Sequence, residues 1–115
     1  MTQLKDFMLL FRFEPGNEQP TEEQLSEMQR QWGEFIGGIA FQGRLVSTHQ
    51  LGFEGKKIYS DQSTEDGLHF SEGLTLGGNL ILKAETLESA SEIAKRCPIL
   101  FAGGNVEVRN IIPMN

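Results

Sequence analysis

Thr64-Glu-Asp66-Gly67-Leu-His69-Phe70-Ser-Glu72-Gly73-Leu-Thr-Leu76-Gly77-Gly78-Asn79-Leu80-Ile81-Leu82-Lys83-Ala84 is the stretch on which the fold turns. It holds an Asp-Gly dipeptide, one of the chain's two histidines, and a glycine pair that feeds an apolar strand. That strand, residues 78–84, sets Leu80 and Leu82 on one face and Ile81 on the other. A strand and a helix lead into the stretch from the N-terminal side. A helix and a strand lead out of it toward the C-terminus.

On the N-terminal side, residues 4–13 alternate as a strand. Phe7, Leu9, Phe11 and Phe13 share one face, with Met8, Leu10 and Arg12 on the other. Residues 14–17, Glu-Pro-Gly-Asn, are a turn. Thr21 then caps a helix, and Gln24 three residues on completes a capping-box pattern. Glu22 and Glu23 suit the positive end of the helix dipole. Leu25, Met28, Trp32, Phe35, Ile36 and Ile39 recur at spacings of three and four, which makes one apolar stripe. Gly43 is the expected C′ residue. Residues 44–49 form a short strand, with Leu45, Ser47 and His49 alternating against Val46 and Thr48. Residues 50–55 connect it to a weak strand, 56–61, expected to pair back on it as a hairpin. Residues 61–66 are a polar connector.

On the C-terminal side, Thr86 caps a second helix with Glu88 near its start. Leu87, Ala90, Ile93, Ala94 and Cys97 form its stripe, Lys95 and Arg96 its last turn, and Pro98 its end. Gly103-Gly104-Asn105 turns into a final strand, 106–112. The order β-α-β-β-β-α-β is a split β-α-β plan: an α+β, ferredoxin-like fold, with two helices on one face of an antiparallel sheet. The first strand is apolar on both sides, and Ile81, Val106 and Val108 add to the supply for the second face. An apolar face left bare marks an interface, so a homodimer with sheets packed face to face is expected.

At 115 residues the chain makes one domain, 1–115. Ten Lys and Arg stand against 16 Asp and Glu, a formal net charge of −6. That balance, with no basic run, argues against nucleic acid. The apolar run Phe7–Phe11 is too short for a secretory segment or a membrane span. Cys97 is the single cysteine. The expectation is a soluble cytoplasmic protein with no membrane partner.

Several short motifs in order carry a resemblance. They are Phe7-Met-Leu-Leu, Trp32, the run from Phe35 to Ala40 followed by Gly43-Arg-Leu-Val46, and Asp66-Gly67 ahead of Leu76-Gly77-Gly78. Ala94-Lys-Arg-Cys97-Pro98 and the run from Gly104 to Arg109 complete the set. Together they resemble the YCII-related, or DGPF-domain, family over nearly the whole chain. The resemblance implies a dimeric α+β barrel of ferredoxin-like subunits with a pocket between sheet and helices. It implies mostly members without an assigned activity, and in some a histidine and an aspartate as acid/base groups. Here Asp66-Gly67-Leu68-His69 stands in place of Asp-Gly-Pro-Phe, and Asn79 follows the glycine pair.

Asp66 is a candidate acid/base group, or the side chain of an Asp-Gly turn. His69 is a candidate proton shuttle, or a solvated loop histidine. His49 is an equal candidate, or a strand-end histidine. Asp66 and His69 make a dyad only if a turn or bulge brings them together. Arg12 is a candidate for an anionic ligand, or a partner of Glu107. Trp32, Phe35 and Phe70 are candidate ligand-binding aromatics, although the first two lie on the apolar stripe, where such residues are more often core. Cys97, at a helix C-terminus, reads as core. The histidines and carboxylates match no metal template, and no cofactor is expected. Two readings stand: a small-molecule enzyme or binding protein with its pocket between sheet and first helix, or a non-catalytic dimeric interaction or regulatory module.

Overall fold

The apolar alternation of the first segment becomes β1 (Lys5–Phe13) in the computed structural model, which describes residues 3–16 and 20–114. Asn17, the last residue of the expected turn, lies outside them. α1 (Glu22–Phe41) begins where the caps predict: the Thr21 hydroxyl accepts from the Gln24 N–H at 3.1 Å, and the Gln24 side chain accepts from the Thr21 N–H at 2.9 Å. It ends at Gly43, whose φ of +72° closes the helix as a C′ glycine does. β2 (Leu45–Gln50), β3 (Lys56–Ile58), β4 (Thr64–Asp66) and β5 (Thr75–Ala84) come next, then α2 (Leu87–Ala94), a 3-10 helix (Pro98–Ala102) and β6 (Asn105–Asn110).

The main sheet has the order β2-β5-β1-β6, every neighbour antiparallel. Both helices pack on one face. Phe7, Leu9, Phe11, Leu80, Leu82 and Ala84 meet Phe35 and Ile39 of α1 and Ala90 and Ala94 of α2, with Cys97 sealed in beside them. The architecture is therefore α+β and ferredoxin-like, with a mainly antiparallel sheet. Leu25 and Met28 extend the α1 stripe beyond the sheet and stay exposed.

Three expectations are corrected. β3 pairs with β4, not with β2, and forms a separate two-stranded ribbon. The reason is charge: Lys56 stands opposite Asp66 and Lys57 opposite Glu65, with ion pairs of 3.3 and 2.6 Å, so the polar segment 61–66 supplies a strand. The glycine-flanked connector meanwhile carries the chain away from β2. Second, the alternation of β2 is broken by a register shift at Val46. Leu45 pairs with Leu82 on the helix side, whereas Ser47 and His49 pair with Ile81 and Asn79 on the other. Third, Val106 and Val108 lie opposite Phe11 and Leu9, and so belong to the covered face.

The uncovered face is thus narrower in its apolar content than the sequence suggests. Met8, Leu10 and Ile81 are half-buried at its centre, with Leu76 at one end. Ion pairs of Asp6 with Lys83 at 3.0 Å and of Arg12 with Glu107 at 2.8 Å flank that centre.

Candidate functional site

A cavity of about 440 Å³ opens where β1 ends and β5 begins. Local geometry builds it. β5 starts three residues earlier than the sequence pattern predicts, and a bulge at the glycine pair lets Arg12 face Leu76 while Phe11 faces Gly78. Gly77 and Gly78 are there because nothing larger fits. A Cβ on Gly77 would strike the Phe13 ring, and one on Gly78 the His49 carbonyl oxygen, each at 2.6 Å.

The loop before β5 is folded back on itself. Ser71 and Leu74 exchange backbone hydrogen bonds of 2.9 and 3.0 Å, with Glu72 and Gly73 both at positive φ between them. The buried Thr75 hydroxyl donates to the His69 carbonyl at 2.8 Å, which ties the loop to the strand. On the opposite side the Leu51 N–H donates to the Gly77 carbonyl at 3.0 Å and holds the 51–54 connector along β5.

Leu51, Leu68, Leu74 and Leu76 give the cavity an apolar wall, and Arg12, Glu54, His69 and Ser71 supply its polar groups. Arg12 donates through Nη1 to Glu107 at 2.8 Å, and its Nε and Nη2 edge is bonded to no other described residue. The His69 ring is exposed and makes no hydrogen bond to the described residues.

The candidate residues divide accordingly. Arg12 and His69 come together in this cavity, and Phe70 succeeds His69 as a half-exposed ring. Asp66 does not join them. It sits at the end of β4 with a side chain 90 % exposed, paired with Lys56, while Gly67 turns at φ +108° and donates its N–H to Gly55 at 2.9 Å. No Asp66–His69 hydrogen bond forms. His49 lies on the uncovered sheet face and donates from Nδ1 to the Asn79 side-chain oxygen at 3.2 Å. Trp32 packs edge-on between Phe11 and Phe35, at ring separations of 5.2 and 6.0 Å. Core side chains of the sheet and α1 pack together, and the cavity beside Arg12 and His69 lies at the strand ends. A second one, about 350 Å³, runs between the helices over Phe35, Ile39, Ile93 and Pro98, with Arg96 at its rim.

Glu54 and Ser71 were not singled out by sequence reasoning. Their signal is weak: a lone acid between Gly52-Phe53 and Gly55, and a serine ahead of Glu72-Gly73. Burial pushes the Cys97 thiol up to about 11, so it is neither a thiolate nor a nucleophile at neutral pH. Among the described residues no three His, Cys, Asp or Glu side chains are grouped to hold a metal ion, and no helix is long and apolar enough to cross a membrane.

A small molecule with an apolar body entering this cavity would meet four leucines, and a polar end of it would lie near the free edge of Arg12 and the His69 ring. The family model of the YCII-related domain matches residues 6–115. No curated protein matches the chain.

Proposed function

The chain belongs to the YCII-related family, and from that premise we propose that it is a homodimeric small-molecule-binding protein whose ligand sits beside Arg12 and His69, with His69 as its acid/base group. One observation carries the reading: an arginine with an unused donor edge, an imidazole and a carboxylate converge on a cavity walled by leucines. The apolar centre of the uncovered sheet face, Met8, Leu10 and Ile81, supports the second copy.

The test is a thermal-shift panel of small aromatic and aliphatic carboxylates. A ligand at 100 times its Kd stabilises by about 2.7 kcal/mol, which raises Tm by several degrees. Wild type and Asp66→Asn should show the shift, and Arg12→Leu should lose it. In His69→Ala, binding should persist while any proton-transfer turnover stops. A panel without a single responder defeats the proposal.

The alternative, a non-catalytic interaction module, draws support from the structural use of Asp66 and from the exposed rings of Phe53 and Phe70. It predicts no responder in the panel together with an intact dimer.

A further inference from the structure

The ribbon of β3 and β4 leaves the body of the molecule and finds nothing there to rest on. Its strands pair with each other and pack on no other helix or strand to a comparable extent. A lone two-stranded ribbon is marginal in water, because its few backbone bonds do not offset the entropy of ordering it. Yet its charged groups already have partners: Lys56 with Asp66, Lys57 with Glu65, and Asp61 with the Ser63 N–H and hydroxyl. Among its exposed residues two are large and apolar. Ile58 is 72 % exposed and Tyr59 is half-exposed beside it.

The whole molecule shows the same surplus. It exposes 8746 Å², whereas a compact monomer of this mass exposes about 6,300 Å². Its radius of gyration is 15.9 Å, against about 13 Å for a compact chain of this length. It is a plate 20 Å thick and 48 by 44 Å across. The surplus of roughly 2,400 Å² is what one partner of an obligate homodimer buries, about 1,000–2,500 Å².

Resting on the homodimer reading above, we infer that the β3–β4 ribbon is an arm that lies on the uncovered sheet of a second copy. A two-fold axis places each arm on the other's sheet, so one contact is made twice. The two surfaces match in kind. Ile58 and Tyr59 carry no charge, and the centre of the sheet face, Met8, Leu10 and Ile81, carries none either. Around them the charges pair within the chain, Asp6 with Lys83, Arg12 with Glu107, Lys56 with Asp66 and Lys57 with Glu65, while Arg109, opposite Met8, stands exposed 4.0 Å from Glu107.

The test compares dimer dissociation constants by analytical ultracentrifugation for wild type, Ile58→Asp and Phe101→Asp. Ile58 and Phe101 are both exposed in the single chain, so neither substitution disturbs its core, and unchanged Trp32 emission checks this. Phe101 lies on the helix side and serves as the control. The expected result is a wild-type dimer, a dissociation constant raised tenfold or more by Ile58→Asp, and no change with Phe101→Asp. A dimer that Ile58→Asp leaves unchanged overturns the arm and leaves the sheet-face dimer standing. A wild-type monomer at 100 µM overturns both. Loss of the dimer in Phe101→Asp moves the interface to the helix layer and overturns the arm. Should Ile58→Asp fail to fold, a variant with residues 57–65 replaced by a short Gly-Ser turn asks the same question with the same outcomes.

Discussion

A methyl group added at Gly78 would sit 2.6 Å from the His49 carbonyl oxygen, an atom of the neighbouring strand's backbone. The strands would have to part where Asn79 also receives the His49 Nδ1–H. Gly78→Ala should therefore cost about 1–3 kcal/mol, the usual range for overpacking a tight site, and chemical denaturation of the variant measures it. Gly77→Ala should cost less, because the ring it meets belongs to a side chain that can turn. At this scale the sequence was partly readable. Arg12 and Glu107 pair as their strand positions allowed, and the glycine pair marks close packing and a bulge. Asp66 was not readable, because the lysine that claims its carboxylate lies ten residues back on a strand whose pairing the sequence pattern misassigned.

Elements whose signals are local were legible, and those whose signals are remote were not. The start of α1 is written within four residues, as Thr21 and Gln24 exchange bonds across the first turn. Thr21→Ala should lower stability by about 1 kcal/mol, seen as a lower midpoint in a circular-dichroism melt. Thr86 caps α2 in the same way, accepting from Ser89 at 3.1 Å. β4 escaped notice because Thr64-Glu65-Asp66 has no apolar alternation. Its signal is complementarity to Lys56-Lys57 at matching positions, visible only once the two segments are set against each other. The cavity escaped for a related reason. It is built where a bulge, a tight turn and a connector meet, and each of those depends on β5 beginning at Thr75.

At the scale of the molecule, the buried Cys97 thiol makes stability depend on alkaline pH. Unfolded, the Cys97 thiol ionises near 9.0; folded, near 11. Between those values the unfolded chain has released a proton that the folded chain keeps. Stability is therefore intact below the lower value and falls as pH rises through the window, by at most about 1.4 kcal/mol per unit. Denaturation midpoints at pH 7.5 and 10.5, compared between wild type and Cys97→Ala, should show a steeper alkaline loss in wild type.

That same sealed sulfur gives the molecule a tamper mark. A maleimide reagent meets no other cysteine, and it reaches this one only when the packing around the end of α2 comes apart. The speed of alkylation, divided by that of an unstructured peptide thiol, reads out how often the interior opens, with no label engineered in. If opening first requires two copies to separate, alkylation slows as the protein is concentrated.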